Sequence, residues 1–297
     1  MTSKPFISII VPTYHDWERL QLCIQALDKQ TYPKELYEVI IVNNDSNDLV
    51  PDQYYLPRNF VILSEGKPGS YAARNKGIDL AKGDIYGFTD SDCIPHPNWI
   101  ENAVKILEKG NIDRIGGDIE LFYQDDSNRT WVELYEVAYG FNQKRMVEVN
   151  KGAVTANLFV KKELFDKVGK FDCSKKSGED IRWNRRANSF GYNLIFAKDV
   201  KIDHPARSTF KALKNKKLRE LGGVLKFDLN RQNILKNVSY LPFLFYISFF
   251  HKTYRLFTTK MKLSKIEKAK VVLINIYLFK LYFFEFFRLM FGGERLR

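Results

Sequence analysis

The chain has 297 residues, 45% hydrophobic and 14% aromatic, enough for one large catalytic domain with an appendage. Its three cysteines, Cys23, Cys93 and Cys173, form no C-x-x-C pair and are odd in number. That argues against a disulfide framework or a structural zinc site and points to reduced thiols in a cytosolic compartment. The formal net charge of +12 lies in the last third: residues 1–206 hold 27 Lys and Arg against 30 Asp and Glu, residues 207–297 hold 20 against 5. Such asymmetry fits a tail that meets a polyanionic partner, either a membrane or a nucleic acid.

In chain order, Phe6 to Val11 is a continuous β-branched run and reads as a buried strand. It is too short for a signal-peptide core, and Pro12-Thr13-Tyr14 ends it. Asp16 opens a helical pattern through Leu20, Ile24 and Leu27. Tyr37 to Val42 reads as a second buried strand closed by Asn43-Asn44-Asp45, and Phe60 to Leu63 as a third. Pro68-Gly69-Ser70 leads into a helix over Tyr71 to Ala81. Asp84 to Phe88 is a fourth strand that runs into Thr89-Asp90-Ser91-Asp92, and Pro97 starts a helix through Trp99, Val104 and Leu107.

Strand and helix alternate four times in this stretch, the pattern of a parallel sheet with helices on both faces. Ligands of such sheets bind at the carboxyl ends of the strands. The polar clusters Thr13, Asn44-Asp45 and Asp90-Ser91-Asp92 fall at those ends. From Ile112 the pattern mixes: Val154 to Val160 reads as a strand, Ser177 to Phe190 as a helix, and Leu194 to Ile202 as one or two strands.

Asp90 and Asp92, at i and i+2 where a buried strand ends, make a hard oxygen site suited to Mg2+ or Mn2+ shared with a diphosphate. An ordinary Asp- and Ser-rich turn is the plainer reading. Ser177-Gly178-Glu179-Asp180 has the form of a capping box, so Asp180 could merely cap a helix. His204 closes a predicted strand; His15, His96 and His251 carry no comparable signal.

Taken in order, these segments resemble family 2 glycosyltransferases. Ile7-Ser8-Ile9-Ile10-Val11-Pro12-Thr13-Tyr14 resembles their opening strand. Glu38 to Ser46 is similar to the second strand with its nucleoside-binding Asp, here Asp45. Ala73-Arg74-Asn75-Lys76-Gly77 is similar to their Arg-Asn-x-Gly helix, and Ile85 to Asp92 to the metal-binding strand. Ala156-Asn157 with Gly169-Lys170-Phe171-Asp172 resembles the acceptor-side segment, and Gly178-Glu179-Asp180 the Glu-Asp pair at the catalytic base.

The resemblance covers roughly residues 5–205. It implies an α/β chain of GT-A fold, with a Rossmann-like, mostly parallel central sheet and flanking helices. Residues 1–206 would form the catalytic domain and residues 207–297 a basic, aromatic helical region. The implied activity is inverting transfer of one sugar from a nucleotide-diphosphate sugar, UDP foremost because a carboxylate at Asp45 suits the uracil imide, to a hydroxyl of a glycan or lipid-linked saccharide.

In this reading Pro12, Thr13, Tyr14, Asp45, Arg74, Asp90 and Ser91 hold the donor, and Asp90, Asp92 and His204 hold Mn2+ or Mg2+. Asp180 is the base with Glu179 as the alternative acid, and Asn157 and Trp183 meet the acceptor. A processive polysaccharide synthase is the nearest alternative, but no Gln-x-x-Arg-Trp motif follows the base.

In the tail, Val238 to Phe250 is too short to span a bilayer, which takes about 20 residues. Ala269 to Phe291 is long enough but interrupted by Lys270, Lys280, Glu285 and Arg288. At about 100° per residue these fall on one side, with Phe279, Phe283, Phe286 and Phe287 on the other. The expectation is a helix in the interface of an anionic membrane, peripheral on its cytoplasmic face, with Lys211, Lys214, Lys216, Lys217 and Arg219 in support. A pair of helices packed on protein, or joining copies of the chain, is the alternative. A nucleic-acid-binding protein is the reading from a different class; the tail's aromatics cluster in apolar runs instead of interleaving with basic residues, which argues against it.

Overall fold

A computed structural model describes residues 4–175, 177–228, 234–258, 261 and 263–291. The first half runs β1 (Ile7–Thr13), α1 (Trp17–Asp28), β2 (Tyr37–Asn43), β3 (Phe60–Ser64), α2 (Ser70–Leu80), β4 (Ile85–Thr89), β5 (Ile94–Pro95) and α3 (Trp99–Leu107). The second half runs β6 (Arg114–Phe122), α4 (Trp131–Tyr139), α5 (Gln143–Glu148), β7 (Asn157–Lys161), α6 (Glu163–Val168), α7 (Glu179–Ser189), β8 (Leu194–Pro205), α8 (Phe210–Asp228), α9 (Ile234–Thr258) and α10 (Lys265–Met290).

The strands form one sheet in the order β3-β2-β1-β4-β7-β6-β8-β5. Parallel pairing joins β3-β2-β1-β4. β1 is buried along its whole length, as a strand covered on both faces must be, which explains a largely apolar run in which the buried Ser8 hydroxyl donates to Glu38 Oε1 at 2.7 Å. β7 pairs antiparallel with both β4 and β6, so the sheet is mixed beyond its parallel half.

Helix α2 lies against β1 because residue 77 is glycine. A Cβ there would stand 2.5 Å from Cγ2 of Ile10. The close approach sets Tyr71 and Arg74, earlier on the same helix, in or beside the core. That core layer gathers Ile10, Ile78, Phe88, Leu158, Phe165 and Trp183.

The chain divides into two compact units, residues 1–120 with 142–204, and residues 121–141 with 205–297. Helix α4 thus belongs with the C-terminal helices, although sequence reading left it in the catalytic segment. Its start is set by a capping box between Thr130 and Glu133. In this second unit Val132 and Tyr135 of α4 pack with Leu213, Leu256, Val271 and Ile274. Glu136, 1% exposed, is paired to Arg207 at 2.8 Å and Lys216 at 3.3 Å.

The expected two-sided division of α10 is corrected here. Phe286 is fully buried and Phe279 packs on Phe249, with ring centroids 5.6 Å apart. Glu285 is buried and takes both nitrogens of Arg288. Helix–helix packing claims one aromatic stripe, and an ion pair internalises one charge. Among the described residues no helix is long and apolar enough to cross a membrane.

Candidate active site

The carboxyl ends of β1, β2 and β4 lie side by side, and the loops leaving them carry most of the expected site. The backbone N–H of Asn44 donates to Thr13 O at 2.9 Å, tying the ends of β1 and β2. The Asn44 side chain donates to Glu65 O and Lys67 O at 3.0 and 2.8 Å and accepts from Gly69 N at 2.6 Å. One amide thereby fixes the loop that leads into α2.

Asp45 is partly open to solvent. Its carboxylate accepts from the backbone N–H of Asn47 at 2.9 Å and meets His15 Nε2 at 3.0 Å. The Asn47 N–H first, and His15 next after a small opposing burial effect, hold its pKa below the ordinary value. Pro12 and Thr13 are buried in β1, and Tyr14 is exposed beside them.

Within Asp90-Ser91-Asp92 the three side chains part company. Asp90 Oδ1 accepts from Nη2 of Arg74 at 2.5 Å. Arg74 is only 4% exposed, and its Nε is buried without a partner. Ser91 Oγ donates to Asp16 at 3.3 Å. Asp16 also accepts from Arg19 at 2.7 Å, and burial raises its pKa despite that cation. Asp92 lies 3.6 Å from Arg19 Nη1 and 3.6 Å from Nε2 of the buried His204.

The ligand-capable atoms of Asp92, His204 and Cys93 lie within 4.8 Å of one another. Burial first, then repulsion from Asp90 and Asp92, pushes the Cys93 thiol well above its ordinary pKa. A carboxylate oxygen and an imidazole nitrogen stand together in this group, a pairing that suits Mn2+. Asp90, expected as a third ligand, is instead engaged by Arg74.

Asp180 sits at the start of α7, but not in a capping box. The residue before the helix is Gly178, at φ +74°, and no side chain caps it. The hydroxyl of Tyr71 takes that role, accepting from Glu179 N at 3.0 Å and Asp180 N at 3.5 Å. The same hydroxyl donates to Asp180 Oδ1 at 3.3 Å. Thr155 N and Ile181 N also donate to the carboxylate, at 3.4 and 2.9 Å. Burial nevertheless dominates and raises the Asp180 pKa, with the Ile181 N–H and Arg74 acting against it.

The Arg74 guanidinium lies 5.8 Å from the Tyr71 ring centroid. Asp90, Arg74, Tyr71 and Asp180 therefore form one connected series along α2. Glu179 points elsewhere: it is 1% exposed, accepts from Asp172 N at 3.1 Å and lies 3.5 Å from Arg186.

The two residues expected at the acceptor, Asn157 and Trp183, lie in the core. Asn157 is fully buried. Its amide donates to Asp118 O and Val200 O at 2.7 and 2.9 Å and accepts from Trp99 Nε1 at 2.9 Å. Trp183 is fully buried, stacked on Phe165 at 4.6 Å and donating to Gly169 O at 2.6 Å. Their polar atoms are already used inside the core.

Sequence reading missed His15, Arg19 and Tyr71. His15 and Arg19 follow β1 by a few residues, and that position at a strand's carboxyl end was the available signal. Nothing in the local pattern distinguishes Tyr71 from a core aromatic.

The Glycosyl transferase family 2 model matches residues 8–169. The chain is 38% identical over 223 residues to glycosyltransferase AglE of Haloferax volcanii, covering 72% of each chain. It is 22% identical over 220 residues to a Methanococcus voltae enzyme, covering 69% of this chain and 68% of that one. The latter is named as a dolichyl N-acetyl-alpha-D-glucosaminyl phosphate 3-beta-D-2,3-diacetamido-2,3-dideoxy-beta-D-glucuronosyltransferase. Among solved structures it is similar to the mannosyltransferase PcManGT of Pyrobaculum calidifontis in complex with GDP-Man and Mn2+. That similarity has a TM-score of 0.58 at 17% identity, over 99% of this chain and 77% of the other. The shared architecture is the GT-A fold.

Proposed function

This chain belongs to glycosyl transferase family 2 and is a glycosyltransferase, and from that premise we propose that it transfers one sugar, with inversion, from a nucleotide-diphosphate sugar to a hydroxyl of a glycan or lipid-linked saccharide. The observation that carries this reading is the connected series Asp90–Arg74–Tyr71–Asp180 at the mouth of the parallel strands. It sets a cation and a desolvated carboxylate on one helix-supported track.

Asp180 is the base. Inversion needs a carboxylate to take the acceptor hydroxyl's proton as its oxygen attacks opposite the leaving group. A raised pKa makes a stronger proton acceptor, and the Tyr71 hydroxyl holds the carboxylate in one orientation. Glu179 is less suited because its carboxylate supports the 171–172 turn and Arg186.

Arg74 reaches the donor diphosphate from its pairing with Asp90, using the nitrogen donors that Asp90 leaves free. Asp45 accepts from the base of the nucleotide, with Pro12, Thr13 and Tyr14 around it. Uracil fits through its imide N–H; guanine also offers N–H donors to a carboxylate, and the similar Pyrobaculum enzyme was solved with GDP-Man. Asp92 and His204 would hold Mn2+ or Mg2+, which when bound neutralises charge on the departing diphosphate.

The lipid-linked acceptor draws support from the Methanococcus relative, whose name specifies a dolichyl phosphate-linked sugar. The test is a thermal-shift screen of UDP-, GDP- and dTDP-sugars with each cation, followed by transfer assays with the donors that stabilise. Asp180→Asn should slow transfer by about 10²–10⁴ while donor binding persists. Transfer at the parent rate in that variant would remove Asp180 from the reaction, and stabilisation by no nucleotide sugar would overturn the donor reading.

A further inference from the structure

Helices α9 and α10 form an antiparallel hairpin. Phe245 of α9 meets Tyr282, Phe249 meets Phe279, and Asn275 donates to Phe249 O and Thr253 Oγ1 at 3.2 and 3.1 Å. Near the turn, Lys268 Nζ lies 5.6 Å from the Phe257 ring centroid. The other packed side of the pair faces α4, through Lys252 with Tyr135, and through Leu256, Val271, Ile274 and Leu278.

Among the described residues the side away from α4 is uncovered. On α9 it presents Tyr246, Phe250, Tyr254 and Phe257, spaced three and four residues apart and therefore on one stripe. On α10 it presents Ile276 and Phe283, seven residues apart and therefore on one stripe. Tyr254 is 68% exposed and Phe257 60%. At about 100° per residue Ile276 and Phe283 follow the seam positions Asn275 and Phe279 on the side away from Ile274 and Leu278, and the α9 stripe likewise starts beside the seam, so the two join into one face. Monomeric proteins seldom leave a contiguous apolar face of this kind in water.

Charge selects its occupant. Lys265 and Lys280 are exposed on α10 at or beside the stripe, and residues 207–297 carry 20 Lys and Arg against 5 Asp and Glu. A second copy would bring the same excess of positive charge to the same face, whereas an anionic bilayer brings the opposite sign. Tyrosine and phenylalanine beside lysine is the composition of a helix lying in a headgroup layer. No described helix can cross the bilayer, and α10, 26 residues and about 39 Å long, would lie along it.

We propose that the uncovered face of the α9–α10 hairpin is a docking surface for the anionic headgroup layer of a lipid bilayer. Tyr254, Phe283 and their stripe neighbours enter the acyl boundary while Lys265 and Lys280 meet the headgroups. This rests on the exposed face and the charge, and is independent of the donor, metal and base assignments above.

The experiment is vesicle flotation of the full chain. One set of vesicles is pure phosphatidylcholine; the other is phosphatidylcholine mixed with phosphatidylglycerol. The parent should float with the anionic vesicles, at least about tenfold more tightly than with the neutral ones, with part of that binding persisting in high salt. Tyr254→Asp/Phe257→Asp, both on the surface, should weaken anionic-vesicle binding by about tenfold or more. Its thermal unfolding and its donor hydrolysis in detergent-free buffer should stay at parent values.

Parent-like flotation of that variant would overturn the proposal, as would equal affinity for both vesicle types. So would a parent that ignores vesicles but sediments as a dimer that the double substitution dissociates, since the face would then belong to a second copy.

Discussion

The hydroxyl of Tyr71, on α2, donates to Oδ1 of Asp180, on α7, across 109 positions of sequence, at 3.3 Å. The same oxygen accepts the first backbone N–H groups of α7. One phenol thus caps a helix and aims the proposed base. Its own pKa is raised, by burial first and by the Asp180 charge next, so it stays a donor throughout the working range.

Tyr71→Phe removes the hydrogen bond that favours the charged carboxylate. Asp180, already raised by burial, should move higher still. A base must be deprotonated to act, so the acid limb of the kcat/KM profile should shift to higher pH, with a smaller change at the alkaline plateau. A pH–rate series on both proteins checks this. An unmoved limb would separate Tyr71 from the base.

Asp180→Asn should cost about 10²–10⁴ in kcat. Its effect on stability runs the other way. The folded pKa of Asp180 lies above its unfolded value, so the folded chain binds more protons and its stability falls as pH rises through that interval. At neutral pH the charged, desolvated group is a net burden, and asparagine relieves it. The expected result is a dead enzyme with a Tm at neutral pH no lower than the parent's and an advantage that fades toward acid pH. Calorimetry at two pH values reads it.

Arg74→Ala should weaken both fold and donor binding. It strands Asp90 and removes a guanidinium that is 4% exposed. Breaking a buried pair costs about 3–5 kcal/mol, and because the Asp90 side chain is 33% exposed the loss belongs near the lower bound. Denaturant unfolding gives the stability change. A donor titration should show weakened affinity even where the variant is fully folded.

His204→Ala and Asp92→Ala should each remove stabilisation by Mn2+. A cation bound at about 100 times its Kd raises stability by about 2.7 kcal/mol, large enough to follow as a Tm shift. The parent should show the shift and lose it with EDTA. Equal Mn2+ stabilisation of parent and both variants would place the cation elsewhere.

Asn157→Ala should be a folding lesion. It leaves Trp99 Nε1, Asp118 O and Val200 O without their partner, and an unsatisfied buried group costs about 1–3 kcal/mol. The variant should unfold several degrees earlier, with the acceptor KM of its folded fraction unchanged. A selective rise in acceptor KM at parent stability would restore the acceptor reading.

The parallel half of the sheet was legible from the chain alone. Ile7–Val11, Tyr37–Val42 and Ile85–Phe88 are apolar on both faces, and only a covered parallel strand tolerates that pattern. Their ends then had to carry the polar loops, which located Asp45 and Asp90-Ser91-Asp92. The alternation also announced α1, α2 and α3. Weaker signals, spread over short elements, hid β6, α4, α5 and α6, whose stability comes from packing more than from local preference.

What the sequence by itself determined was the set of chemical groups and the sheet edge at which they gather, because period and strand length are local properties. Which group pairs with which was decided by the tertiary structure alone. Gly77 lets α2 press on β1, and that approach gives Asp90 to Arg74 and Asp180 to Tyr71. The return of β8 brings His204 to Asp92. The pleat of β7 turns Asn157 into the core, away from solvent. Such pairings join residues distant in sequence, and side-chain direction at the contact follows from how elements pack, which no local pattern encodes.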